Sequence, residues 1–395
     1  YLDTDVKSDT RNFIDGDRDG QPIDTSVIGF SNPDTEFQNS DIRSFESYAT
    51  FGNISFEFFD DFRFTGGARW TKNRFSDKRC NIFNGCLTEN GRTGDPATPS
   101  ENNDNVTFKT ALDYNITPDN MIYTSVATGI KPAASNNGFV EDKDGAGFFP
   151  EVFEEEKVTT YELGSKNFFY GRRLQLNATA YYSDIENYLY QSAGLSVTGN
   201  GVSGGSNLPE SETYGIEVES VAQITPNLRL DVNMSAADSK INEGRLAVDR
   251  GEQVNVTAGL TDDAEIEETI RSIAQDLTGN ELPKIPEFVA NVSLSYEQQV
   301  SGGRLTSQVI YDHRGEYFNR VFNSPERDLV PSYDRAHLNF NYQAFNAPWS
   351  LSLNIQNLFD SDDVSSLHTD DFFQGQTSKQ FLPPRVITMS ARYDF

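Results

Sequence analysis

Three groups of residues in this chain have types and spacing that suit chemistry. Asp15, Asp17 and Asp19 stand at alternate positions with Gly20 following. That is the opening of a calcium loop, where hard oxygen ligands wrap one cation and a glycine makes the turn. The twelfth position, which in such a loop supplies a bidentate carboxylate, is Ser26, so the run also reads as a solvated acidic turn. Further along, His313, Arg314, Tyr317 and Arg320 combine cations with an aromatic ring. This combination holds an anionic ligand through charge and stacking, although Tyr and Arg also line the rims of sheets. The only two cysteines, Cys80 and Cys86, suit a local disulfide in an oxidising compartment, with two unpaired thiols as the alternative. The three histidines, His313, His337 and His368, show no zinc-ligand spacing among themselves or with the cysteines. No catalytic constellation stands out, so the chain reads as not an enzyme.

The 395 residues carry 32 basic and 60 acidic side chains, a formal charge of −28. No basic patch is visible to neutralise phosphates, which argues against nucleic acid as a partner. Aromatic residues make up 12% of the chain, too many for full disorder. No apolar run approaches the roughly 18 residues that a spanning helix needs. With a mean hydropathy of −0.57, these averages describe a soluble acidic protein. The order of the residues describes something else.

The dominant signal is period two. In residues 174–182, Leu174, Leu176, Ala178, Ala180 and Tyr182 fall on one face, and Gln175, Asn177, Thr179 and Tyr181 on the other. Residues 214–224, 228–236, 288–296, 336–344, 349–355 and 387–395 repeat the pattern. Successive strand side chains point to opposite faces, so each run has an apolar and a polar side. The links between runs alternate between tight turns (near 60, 117–120, 171–173, 225–227, 301–304 and 346–348) and long loops. The long loops lie around Cys80, after Pro132, after Ala193, before Pro286, after Arg320 and after Asp363. All tight turns then lie at one end of the sheet and all long loops at the other.

This predicts an all-β, antiparallel transmembrane β-barrel segment of about 14 strands, with short periplasmic turns and long external loops. Strands must close into a barrel in lipid because no water there satisfies an open edge. The polar face carries Arg69, Lys109, Asp113, Glu217, Glu219, Arg229, Asp231 and Arg392, which suits a water-filled or plugged lumen. External carboxylates in such a barrel also suit divalent ions that bridge lipopolysaccharide phosphates. One segment breaks the pattern: Ile266, Ile270, Ile273, Ala274 and Leu277 recur at helical spacing. A short helix over 261–278 is expected within a long external loop, with Thr261 as its N-cap, Asp262 and Asp263 in its first turn and Gly279 as its C-cap. It would pack on the loop's own residues or act as a lid. The chain starts at Tyr1 without a signal peptide, and is expected to be a segment of something longer.

Several strings resemble one family. Residues 381–395 (FLPPRVITMSARYDF) are similar to the last strand of TonB-dependent outer-membrane receptors, and 354–360 (NIQNLFD) to the strand before it. Residues 126–132 (VATGIKP), 161–166 (YELGSK) and 279–288 (GNELPKIPEF) also resemble family strings, in family order. The resemblance implies a barrel of about 22 strands with a plugged lumen, of which this chain would supply 1–395 as the C-terminal portion, without the plug, the TonB box or the first strands. It implies import of a ferric siderophore or similar large nutrient, energised by TonB, in the outer membrane of a Gram-negative bacterium. Glycan or cobalamin uptake, or a passive porin-like channel, are the alternatives. His313, Arg314, Tyr317 and Arg320 would then face a catecholate or hydroxamate iron complex. The alternating terminus with Tyr393 and Phe395 resembles the signal read by the barrel-assembly machinery. The resemblance implies no cofactor, leaving calcium at Asp15, Asp17 and Asp19 as the possible ion.

Overall fold

The computed structural model describes residues 2–12, 37–81, 85–86, 100–135, 152–195, 201–249, 262–369 and 376–395. Fourteen long strands run antiparallel in chain order. They are β1 (Leu2–Asn12), β2 (Phe37–Phe58), β3 (Phe62–Asn81), β4 (Ser100–Thr117) and β5 (Asn120–Lys131). Next come β6 (Glu156–Phe169), β7 (Leu174–Leu195), β8 (Gly201–Thr225), β9 (Leu228–Glu243) and β10 (Phe288–Val300). The last are β11 (Gly303–Arg314), β12 (Tyr333–Ala344), β13 (Trp349–Gln356) and β14 (Val386–Tyr393). Each pairs with its sequence neighbours in one sheet of 15 strands. The fifteenth is the two-residue strand Gly85–Cys86, which hangs on β3. Among the described residues β1 and β14 are the two edges of the path.

The register carries the expected two faces across the whole sheet. One row runs Phe169, Leu174, Ala222, Leu230, Leu294, Val309, Leu338, Ile355 and Ile387, directly opposed from β6 to β14. All nine are apolar. The opposite face holds the row Lys166, Asn177, Glu219, Asn233, Asn291, Asp312 and Arg335 across β6 to β12. All seven are polar. A soluble protein would bury the first row, yet Leu294, Val309 and Ile387 are exposed. Lipid is the solvent that makes such a surface stable.

Aromatic residues mark both borders of that surface. At the tight-turn end Phe56, Phe58, Phe62, Phe64 and Tyr114 form a chain of ring contacts, with Phe62 and Tyr114 4.5 Å apart. At the other border Tyr161, Tyr182 and Tyr214 stand opposite one another on β6, β7 and β8. From Tyr214 to Ile224 the outer face of β8 is 224 − 214 = 10 residues long. That is roughly 33 Å of strand, or about 25 Å of height at a tilt near 40°, the thickness of a barrel's apolar band.

The tight turns are built as the strands' twist demands. Phe59, Asp60 and Asp61 join β2 to β3, the first two with φ of 51° and 57°. Ser301 and Gly302 join β10 to β11 with φ of 35° and 74°, and a two-residue loop with both centres left-handed matches the strand twist.

The long-loop end departs from the sequence expectation in two places. First, the long loop expected after Ala193 is mostly strand: β7 reaches Leu195 and β8 begins at Gly201, paired throughout. At 22 and 25 residues these strands far exceed the 9–11 or so that cross a bilayer, so their ends stand clear of it. The string Gly201-Val202-Ser203-Gly204-Gly205 also lies there, inside β8 opposite residues 191–195. It has the spacing of a hydrolase nucleophile elbow without the strand-to-helix turn that such an elbow requires. Second, the helix is shorter than expected. Helix α1 spans Asp263–Ser272, and its N-cap is Asp262, whose Oδ1 accepts the Ala264 and Glu265 amides at 3.1 and 3.0 Å. The chain turns extended after Ser272 because Gln275–Asp276 pairs with Leu246–Ala247 and Leu277 is fully buried. Leu277 packs among residues of the loops and strand ends.

Candidate functional site

The polar face of the sheet is a wall of paired and unpaired charges. Arg63 donates to Asp113 at 2.9 Å, whereas the Lys72–Asp104 pair, 3.5 Å apart, lies on the opposite face, beyond Trp70 and Val106. Arg229 bonds both oxygens of Asp231. Arg69, Lys109, Asp113, Glu217, Glu219, Arg229 and Asp231 share this face by register, as expected. Two tyrosines lie flat against it. A Cβ on Gly215 would meet the Ala236 carbonyl oxygen at 2.5 Å and the Tyr181 hydroxyl at 2.8 Å, so only glycine lets Tyr181 cross the neighbouring strand. Tyr123 covers Gly164 in the same way and bonds Thr179 at 2.9 Å.

The sheet separates the four residues expected to bind ligand. His313 lies on the apolar face, one residue out of phase with Asp312 and Arg314. Its ring packs on Phe288 at 5.6 Å, and its Nδ1 is 2.8 Å from Asp334 Oδ1. Asp334 also accepts the Tyr311 hydroxyl at 2.5 Å. This places His313 in the upper aromatic border and away from the lumen. Arg314 is on the polar face, where its guanidinium stacks on Tyr317 at 4.8 Å and on Tyr333 at 4.7 Å. It donates to the carbonyls of Pro331, Val364 and Ser365. Its buried Nε has no hydrogen-bond partner, and among the described residues no carboxylate lies within ion-pair distance.

Tyr317 donates to the Ser365 carbonyl at 3.1 Å and is buried with Val330, Val364 and Leu367. Arg320 is held inside the loops. Its Nη1 and Nη2 each meet an oxygen of Asp249 at 2.9 Å, and its Nε meets Asp328 Oδ1 at 2.6 Å. Asp328 is fully buried and Asp249 is 5% exposed. Burial pushes the Asp328 carboxyl above the usual carboxylate range, against the pull of Arg320 and of the Ser324 amide. Neither aspartate was singled out by sequence, because nothing in local spacing links position 249 to position 320.

The family-like strings turn out to sit at structural corners. Asn357, with φ of 50°, accepts the Ser361 amide at 3.0 Å. His337 Nδ1 accepts the Asn357 amide at 3.2 Å, which leaves Nε2 to donate to Asp312 at 3.0 Å. Asp360 accepts the Arg385 amide at 2.8 Å, so 354–360 and 381–395 interlock. Residues 279–288 stitch a loop to β9: the Gly279 amide donates to Ile241 and the Leu282 amide to Ser239 Oγ. The expected disulfide pair stands opposite in register, Cys80 against Cys86. Asp15, Asp17 and Asp19 lie outside the described residues.

Comparison with known proteins agrees with this architecture. A family model described as TonB dependent receptor-like, beta-barrel, matches residues 4–358. A probable TonB-dependent siderophore receptor, PiuA of Acinetobacter baumannii, is 25% identical over 267 residues, covering 67% of this chain and 31% of that protein. The pesticin receptor of Yersinia pestis is 22% identical over 351 residues, 89% of this chain and 44% of that one. Among solved structures, the ferric yersiniabactin uptake receptor FyuA of Yersinia pestis superposes with a TM-score of 0.67 at 19% identity. It covers 92% of this chain and 48% of FyuA. The chain thus spans less than half the length of these relatives. The sheet order, its two faces and the match over residues 4–358 together show that this chain belongs to the TonB-dependent receptor family, as part of the family's β-barrel.

Proposed function

We propose that this chain is barrel from a Gram-negative outer-membrane receptor that binds a ferric siderophore at the long-loop end and imports it. The tight turns face the periplasm and the long loops the exterior. Relatives named as siderophore receptors support the substrate class. The observation that carries the reading is Arg314, a cation held between Tyr317 and Tyr333 on the polar face with an unpartnered Nε. A lumen cation with no carboxylate partner among the described residues suits an anionic ferric chelate, which supplies the balancing charge. Energy would come from TonB acting on a part of the receptor outside this chain. The exposed terminus, where Tyr393 and Phe395 rings meet at 5.0 Å, would be read by the barrel-assembly machinery. Lipopolysaccharide would surround the outer half, and calcium at Asp15, Asp17 and Asp19 stays part of the proposal.

Growth tests this directly. A strain lacking the receptor gene, starved of iron and offered a panel of ferric siderophores, is expected to fail on one of them and to recover when the gene is restored. Normal growth on all of them would sink the iron reading and point to another large nutrient.

We also propose that Cys80 and Cys86 are joined. Directly opposed residues of an antiparallel pair have Cα atoms about 4.5–5.5 Å apart, within disulfide range. The purified receptor is expected to take up a thiol-alkylating reagent at these positions only after reduction. Labelling of both without reduction would show two free thiols.

A further inference from the structure

External loops are ordinarily the loose part of a protein, with exposed backbone hydrogen bonds and few apolar contacts. The described parts of three successive connections at the long-loop end are built the opposite way: 244–249 and 262–287 between β9 and β10, 315–332 between β11 and β12, and 357–369 and 376–385 between β13 and β14. We propose that these described segments form one rigid wall of the barrel mouth that opens, if at all, as a single cooperative unit, with Arg320 as its central tie.

The first and second loops share an ion-pair cluster and a core. Arg320 takes both oxygens of Asp249 from the first loop and one of Asp328 from its own, and Arg327 adds a 3.5 Å contact to Asp249. Asn280 Nδ2 donates to the Val321 carbonyl at 2.8 Å. Asn323 accepts the Glu281 amide at 2.7 Å and donates back to the Glu281 carbonyl at 3.1 Å. The Lys284 amide donates to Phe318 at 2.8 Å. Beneath these bonds Leu277 and Leu282 pack with Val321 and Phe322. The same cluster takes in Ile185, Leu208 and Ile241 from β7, β8 and β9, so the joint rests on the barrel itself.

The second and third loops share a separate core. Tyr317 and Val330 pack with Val364 and Leu367. Asn319 Nδ2 donates to the Leu367 carbonyl at 2.8 Å, and Tyr317 donates to Ser365. Swinging any one loop outward would strip apolar surface and buried polar partners from the next. A buried charge whose partner leaves is strongly penalised, so partial opening is worse than none. That is the physical basis of cooperativity.

Amide hydrogen exchange of the full-length receptor in lipid vesicles, read by mass spectrometry without any ligand, tests this. In the native protein, amides in 274–285, 316–330 and 361–369 should exchange slowly and at matched rates. Arg320→Met should speed exchange in all three segments together, by roughly tenfold or more, while β7 to β11 stay protected. If Arg320→Met does not assemble, Asp328→Asn, which keeps the volume and removes one charge, should raise the three segments in parallel. Acceleration confined to 316–330, or fast and unequal exchange in the native protein, would overturn the proposal. Because no ligand enters, failure here leaves the siderophore reading untouched, and a failed growth test leaves the wall untouched.

Discussion

Val232→Arg should destabilise the membrane-embedded barrel by about 2–4 kcal/mol, while Asn233→Arg, one residue on, should stay within about 0.5 kcal/mol. Val232 lies midway between Leu228 and Ala236 on the outer face of β9 and stands opposite Val292. A cation there sits near the middle of the apolar band with no partner in reach. Asn233 points to the other face, between Glu219 and Asn291, where water and a carboxylate receive the new charge. The same new side chain at two adjacent positions thus meets two different solvents. Urea unfolding in phospholipid bilayers, followed by the fluorescence of the chain's two tryptophans, measures both. Equal losses, or a larger loss at Asn233, would mean that the faces are assigned the wrong way round.

The second large effect is Arg320→Met. Removing the guanidinium leaves Asp249 and Asp328 buried without their principal cation. Breaking a buried pair from one side typically costs about 3–5 kcal/mol. The loss should fall on the loop layer and be read there, as protease cutting in 244–287 and 315–332 with the strands intact. Replacing all three, as Asp249→Val, Arg320→Met and Asp328→Leu, should restore much of the stability, because uncharged groups of similar size carry no desolvation penalty. The Met variant should also be pH-sensitive in a defined sense. The Asp328 carboxyl already titrates above its usual range because it is buried, and Arg320 is among the groups that pull it down. Without Arg320 the native state holds that proton more tightly than the unfolded chain does. Stability then falls as pH rises through the raised value, so the variant should resist protease better near pH 5 than near pH 7. The opposite trend would show that Asp328 stays ionised after the loss of Arg320.

Much of the barrel was legible in the sequence for a simple reason. Strand alternation has a period of exactly two residues by geometry, so residues 174–182 declare their two faces without any partner. Tight turns at 60, 171 and 302 declare themselves through the chain reversal between two such runs. The helix was legible in kind but not in extent. The spacing of Ile266 to Leu277 fits a helix, yet 275–276 pairs with 246–247, and that partner is invisible to local periodicity. The hairpin ends of β7 and β8 were missed because Gly and Ser in 194–206 read as loop. Pairing with each other holds them extended.

The surroundings of the residues expected to bind ligand were the least legible. His313, Arg314, Tyr317 and Arg320 are close in sequence and chemically alike, and they do four different things. One residue of phase puts His313 with the lipid-side aromatics and Arg314 with the lumen. Arg320 finds its partner at Asp249, which is 320 − 249 = 71 positions away. The amino-acid sequence by itself determined the strand number, the two faces and which end carries the loops, because alternation and turn chemistry act within a few residues. The tertiary structure alone decided which charges meet, because ion pairs and shared cores between loops depend on segments that the barrel's register brings side by side.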